Sequence, residues 1–195
     1  MTRNRMMQFA LIVSLAFAST ALFAQNTVTV TSGTTNVALS STFLDALGSL
    51  NIAAGVVYPT VLEGTTVNFP IGSGAIDLDT ALGNIDHQGG LTLTEGKTVV
   101  AIQDFIIDTT GKSPVITGIA VVNGGLVGRI VLFDLAFPSS FKTPLKLIDK
   151  TFLQLNKITV TLDAAAASTL NTEFNTKGFT AGLSVGTATV SAQGI

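Results

Sequence analysis

Val115-Ile116-Thr117-Gly118-Ile119-Ala120-Val121-Val122-Asn123-Gly124-Gly125-Leu126-Val127-Gly128-Arg129-Ile130-Val131-Leu132-Phe133-Asp134-Leu135 is the stretch that decides the fold. Two β-branched runs flank Asn123-Gly124-Gly125, and Asn-Gly supplies the positive φ that a tight hairpin turn needs. The first run is apolar on both faces, whereas a sheet exposed on one side alternates more cleanly. Gly118 and Gly128 inside the runs fit bends, bulges or close backbone approach. Together these features predict an all-β, antiparallel sandwich or barrel-like domain with extra cover from loops or helices.

Outward from this hairpin the same grammar repeats. Thr98–Ile107 pairs back with Gly90–Thr94 across Glu95-Gly96-Lys97, and Asp108-Thr109-Thr110-Gly111-Lys112 closes the next turn. Thr27–Thr31 alternates Thr and Val as a first strand. Val67–Ile71 and Ala75–Leu78 read as two short strands around Gly72-Ser73-Gly74. Lys157–Leu162 and Ser184–Val190 are the last two.

Two short helices interrupt the strands. Ser41–Leu50 follows candidate caps Ser40, Ser41 and Thr42 and spaces Phe43, Leu47 and Leu50 on one stripe. Asp163–Phe174 opens on Asp163 as cap, then four alanines, Leu170 and Phe174. A faint internal repeat joins them: Val37-Ala38-Leu39 leads into one helix as Val160-Thr161-Leu162 leads into the other. At the same offset Leu47 matches Leu170 and Gly55 matches Gly178. Duplication and chance both fit so few identities. If the repeat is real, it predicts two related helices plugging the sheet ends.

The N-terminus has the three parts of an export signal. Arg3 and Arg5 precede the apolar core Phe9–Ala18, small residues follow, and the run ends at Ala24. That core is shorter than the roughly 20 apolar residues of a membrane-spanning helix. We therefore expect residues 1–24 to be a signal peptide and 25–195 a single secreted or periplasmic domain, with no transmembrane segment after cleavage. The released chain carries eight cations against twelve carboxylates, a formal charge of −4, without a basic cluster for nucleic acid. It has no cysteine, so packing alone holds it together; the full sequence, 47% hydrophobic and 11% charged, supports such a core. Low charge also leaves strand edges open to self-association or to a cell-surface component.

Chemistry is limited by what the chain lacks. Without Cys or Trp, and with one His, one Tyr and one Arg after the signal, thiol nucleophiles and multi-histidine metal sites are excluded. A serine triad would have only His87, and no Gly-x-Ser-x-Gly elbow is present. Asp77, Asp79 and Asp86 form the densest carboxylate group. Asp77 and Asp79 would share a strand face, and the group could offer oxygens to calcium. The other reading makes them turn residues at a solvated strand end. His87 reads as a surface or hydrogen-bonded loop histidine or as a ligand; Tyr58, before Pro59, reads most simply as a turn aromatic.

Phe69–Asp134 resembles part of the HtaA-type haem-binding domain of bacterial secreted and surface proteins. The resemblance lies in Phe69-Pro70-Ile71-Gly72, the acidic-hydrophobic strand after it, and His87-Gln88-Gly89-Gly90-Leu91 as a His-x-Gly-Gly-Leu motif. It implies a β-rich fold with helices at the edge and haem held by a tyrosine that a histidine supports, His87 matching by position. The family's tyrosine-bearing segment matches Thr42-Phe43-Leu44-Asp45-Ala46, which has no tyrosine. Tyr58 lies outside that segment.

The first functional reading is therefore a secreted, non-enzymatic β-sandwich module for binding or assembly at the cell surface, with no cofactor. The alternative is a carrier of haem or another small hydrophobic ligand using Tyr58 and His87. A glycan-acting enzyme using aspartates is the third. On the first reading, titrating haemin into the mature chain gives no saturable spectral change.

Overall fold

The computed structural model describes residues 26–195. The expected signal peptide lies outside the described residues. Eight strands close an antiparallel barrel rather than a two-sheet sandwich. Around the barrel they run β7 (Thr98–Asp108), β5 (Gly83–His87), β4 (Thr66–Asp77), β1 (Thr27–Leu39), β11 (Ser184–Gly194), β10 (Phe152–Leu162), β9 (Gly125–Ala136) and β8 (Val115–Val122). The β7–β8 pairing completes the ring. Closure explains the opening stretch: Ile116 and Ala120 of β8 point into the core, while Thr117, Ile119 and Val121 on the outer face are only half exposed. Gly118 is required by packing, because a Cβ there would meet Leu132 Cδ1 at 2.6 Å and Phe105 Cδ1 at 3.0 Å.

The hairpin forms where Asn-Gly placed it, with φ of 50° at Asn123 and 82° at Gly124. Asn123 also ties the turn to β7, its Oδ1 accepting from the Val99 N–H at 2.8 Å. A Cβ at Gly124 would meet open space, so Gly124→Val carries the backbone cost alone. We expect a loss of about 1–3 kcal/mol, read as a lower urea midpoint at unchanged slope.

Four strands are substantially longer than their sequence suggests: β10 begins at Phe152 and not at Lys157, β11 runs past Val190 to Gly194, and β1 and β4 extend as well. β1 continues through Gly33 to Leu39 because β4 and β11 pair with it on either side. The expected pair Val67–Ile71 and Ala75–Leu78 is the single strand β4. Its Gly72-Ser73-Gly74 stays in the ladder, and a Cβ at Gly74 would lie 2.6 Å from the Asn84 carbonyl oxygen. Three short strands were not seen in advance, because three to five residues leave little room for a period to show: β2 (Ala53–Val57), β3 (Val61–Glu63) and β5.

Both helices form at the expected places, α1 over Ser41–Ser49 and α2 over Ala164–Glu173. Ser40 Oγ accepts from the Phe43 N–H at 3.0 Å, and Asp163 Oδ1 accepts from the Ala165 N–H at 2.7 Å. β1 and β10 both run antiparallel to β11, so they are parallel to each other and deliver their helices to the same end of the barrel. Gly186 of β11 sits between the two junctions, paired to Leu39 on one side and Val160 on the other. Gly178, after α2, packs on Leu50, after α1.

At this helical end the barrel wall divides. β6 (Gly90–Glu95) continues from β5 along β7, but it leaves β4 after His87 and pairs instead with β2. β3 takes the vacated edge of β4. β2, on the edge of β6, and β3, on the edge of β4, therefore flank a gap that opens after His87, with residues 58–60 turning between them.

Candidate functional site

His87 ends β5 with its ring inside the barrel and is 5% exposed. Its Nδ1 lies 3.3 Å from the Phe105 carbonyl oxygen and its Nε2 2.7 Å from Thr35 Oγ1. A carbonyl only accepts, so Nδ1 carries the proton, and Nε2 accepts from the Thr35 hydroxyl. Burial lowers the pKa to about 4, against smaller raising effects from the Phe105 and Ile85 backbone and the Asp86 charge. The ring is neutral at physiological pH, and both nitrogens are occupied.

The glycines after it shape the kink. Gly89 has φ of 78°, and a Cβ there would meet Thr60 Oγ1 at 2.5 Å and the Val57 carbonyl oxygen at 2.6 Å. A Cβ at Gly90 would strike the Ile102 carbonyl. Thr60, itself buried, reaches the Gln88 carbonyl oxygen with its hydroxyl at 3.3 Å. The His-x-Gly-Gly-Leu stretch thus turns the wall outward and seats the β2–β3 turn on the bend.

Tyr58 stands in that turn. Its backbone neighbours abut the bend, but its side chain is 91% exposed. The structure brings the two segments together and leaves the phenol and the imidazole apart. Val56 of β2 and Val61 and Leu62 of β3 are also exposed, the last two on opposite faces of their strand; Tyr58 is the one phenol of the chain.

The three aspartates have separate occupations. β4 ends at Asp77, so Asp79 lies in the following turn and the two do not share a strand face. Asp77 Oδ1 accepts from the Thr80 hydroxyl, the Thr80 N–H and the Asp79 N–H, bonds that lower its pKa. Asp86 accepts from Ser73 Oγ at 2.7 Å. Among the described residues no three His, Cys, Asp or Glu side chains converge on a point where a metal could sit.

Two apolar cavities lie behind the divided wall, each of about 40 Å³. One, inside the barrel, is lined by His87, Phe69, Phe105 and Phe133; the other lies under α1 and α2 against Leu93 and Ile102. Sequence reasoning missed Thr35 and the Phe105 carbonyl as the partners of His87. Thr35 sits in the polar run Thr34-Thr35-Asn36, which carries no signal that one of its members faces a core.

No family model matches this sequence, and no curated protein matches it. Solved structures do share the fold. The C-terminal domain of HtaA from Corynebacterium glutamicum is 21% identical with a TM-score of 0.64, covering 86% of this chain and 99% of that one. The haem-binding protein HtaB from the same organism is 11% identical with a TM-score of 0.55, covering 87% of this chain and 96% of that one. A domain-swapped dimer of a histidine-to-alanine variant of the HtaA C-terminal domain is 20% identical with a TM-score of 0.55, covering 78% and 90%. The structural resemblance extends well beyond the third of the chain that carries the sequence motif. At these identities it is the fold that is shared.

Proposed function

We propose that this chain is an exported, non-enzymatic haem-binding protein whose iron ligand is Tyr58. The observation that carries the reading is the exposed phenol of Tyr58 in the turn between β2 and β3, in a fold shared with a haem-binding protein. A buried site does not fit haem. Pockets for ligands of that kind run to roughly 300–1,000 Å³, and the interior cavities are about 40 Å³ each. The surface at the β2–β3 turn fits better: Tyr58 there offers a phenolate oxygen, a known axial donor to haem iron, and exposed apolar residues such as Val56 and Val61 lie on the adjoining strands. His87 acts from beneath, its ring hydrogen bonds to Thr35 and Phe105 holding β5 to β1 and β7 where the wall bends under the β2–β3 turn.

This reading reverses the expectation drawn from sequence for haemin. Titration of the mature chain should give a saturable Soret-band change, and Tyr58→Phe should abolish it while leaving the unfolding free energy within about 0.5 kcal/mol of wild type, as for an exposed substitution. A wild-type titration without saturation, or an equal response from Tyr58→Phe, overturns the assignment.

A further inference from the structure

The connection between β9 and β10, residues 137–151, is the longest between successive elements among the described residues. Irregular loops of that length in compact domains are usually functional or disordered. This one is anchored. The Phe137 and Phe141 rings stack at 4.2 Å, Leu145 is buried with its N–H donating to the Leu78 carbonyl at 2.6 Å, and Ile148 bridges to Phe152. The loop lies at the barrel end opposite the helices, far along the strands from Tyr58.

Together with β10 it encloses an open groove of about 370 Å³. Phe141, Leu145 and Leu155 supply apolar surface, and Lys142, Lys146 and Asn156 supply polar groups; no carboxylate lines it. Charge is segregated here. Residues 137–157 hold Lys142, Lys146, Lys150 and Lys157 against Asp149 alone, whereas the remaining described residues hold eleven carboxylates against four cations. The register of β10 slips between Leu155 and Ile158, with φ of 59° at Lys157, and the bulge leaves Asn156 and Lys157 both exposed beside the groove. Bulges of this kind re-aim side chains, and positive φ at a non-glycine residue persists only where its surroundings enforce it.

We propose that this groove is a second binding site, for a small amphipathic organic anion: an apolar tail or ring over Phe141, Leu145 and Leu155, and a carboxylate against Lys142 and Lys146. The volume falls within the small-molecule range, and the apolar floor beneath a cationic rim selects an amphiphile over a bare ion. Dodecanoate below its micellar concentration is the probe, with amide chemical shifts of the mature chain as the readout. Saturable shifts should cluster in residues 137–157. The double variant Lys142→Gln/Lys146→Gln should weaken binding by about tenfold or more, the size of one lost charge-assisted hydrogen bond. Dodecyl maltoside, an uncharged head on the same tail, and inorganic phosphate, a charge without a tail, should each bind more weakly than dodecanoate. Tyr58→Phe should leave dodecanoate binding unchanged, which separates this site from the haem reading. Shifts centred elsewhere, undiminished binding by the double variant, or equal binding of the maltoside would overturn the proposal.

Discussion

Lowering the pH from 7 to 4 should cost the folded protein about 3 kcal/mol at His87 alone. The group titrates near 6.5 when unfolded and at about 4 when folded. Between those values the unfolded chain holds the extra proton, so stability is complete above pH 6.5 and falls as the pH drops towards the folded value. The cause is structural: a charged imidazole would sit in an apolar barrel, and protonated Nε2 could no longer accept from Thr35. His87→Leu removes the titration and leaves the Thr35 hydroxyl and the Phe105 carbonyl without partners. It should therefore be less stable than wild type by about 2–4 kcal/mol at pH 7 and approach wild type near pH 4. Urea melts across this range test the point, and parallel pH profiles for the two proteins would refute it. Asp77, whose pKa is lowered by its bonds within the turn, adds acid sensitivity only in the carboxylate range, as its stabilising charge is lost.

Gly33→Val should lower stability by about 3–5 kcal/mol, enough to prevent folding in a marginal domain. Gly33 has φ of 141°, and a Cβ there would strike the Ser191 carbonyl oxygen and lie 2.9 Å from Ala192 Cα. Neither can retreat, because Gly33 pairs with Ala192 of β11 on one side and Ile71 of β4 on the other. Gly128→Val is the control: φ is 129°, a similar backbone demand, yet nothing lies within 4 Å of its Cβ. Denaturation midpoints should place Gly33→Val well below Gly128→Val. Equal losses would mean that backbone conformation, and not the close approach of β1 to β11, sets the cost.

The candidate site was legible in its parts and not in its arrangement. His87 and Tyr58 could be singled out because each is the lone residue of its kind in the chain. Their expected cooperation was not visible, since it depends on where two loops place their side chains. Gly89 and Gly90 looked like part of a ligand motif; their physical requirement is the absence of a Cβ where the wall bends against Thr60 and Ile102. Asp77 and Asp79 looked like neighbours on one face because the end of a strand is not encoded in their spacing. The sequence shows four lysines within residues 137–157, and that two of them, Lys142 and Lys146, line one groove is decided only when the loop folds onto β10.

The sequence by itself determined local structure: the Asn123-Gly124 turn, the caps at Ser40 and Asp163, and the β-branched runs whose neighbours are joined by short turns. These follow from torsional preference and from hydrogen bonds within a few residues, which need no distant partner. Tertiary structure alone decided that the sheet closes, that β1 and β4 run on through glycine-rich and polar stretches, and that β5 leaves β4 at His87. Each of those outcomes rests on pairing between segments far apart in the chain, such as β1 with β11 and β7 with both β5 and β8. A backbone group in such a ladder is held by its partner's N–H and C=O, which makes a strand of residues whose own side chains carry no strand signal.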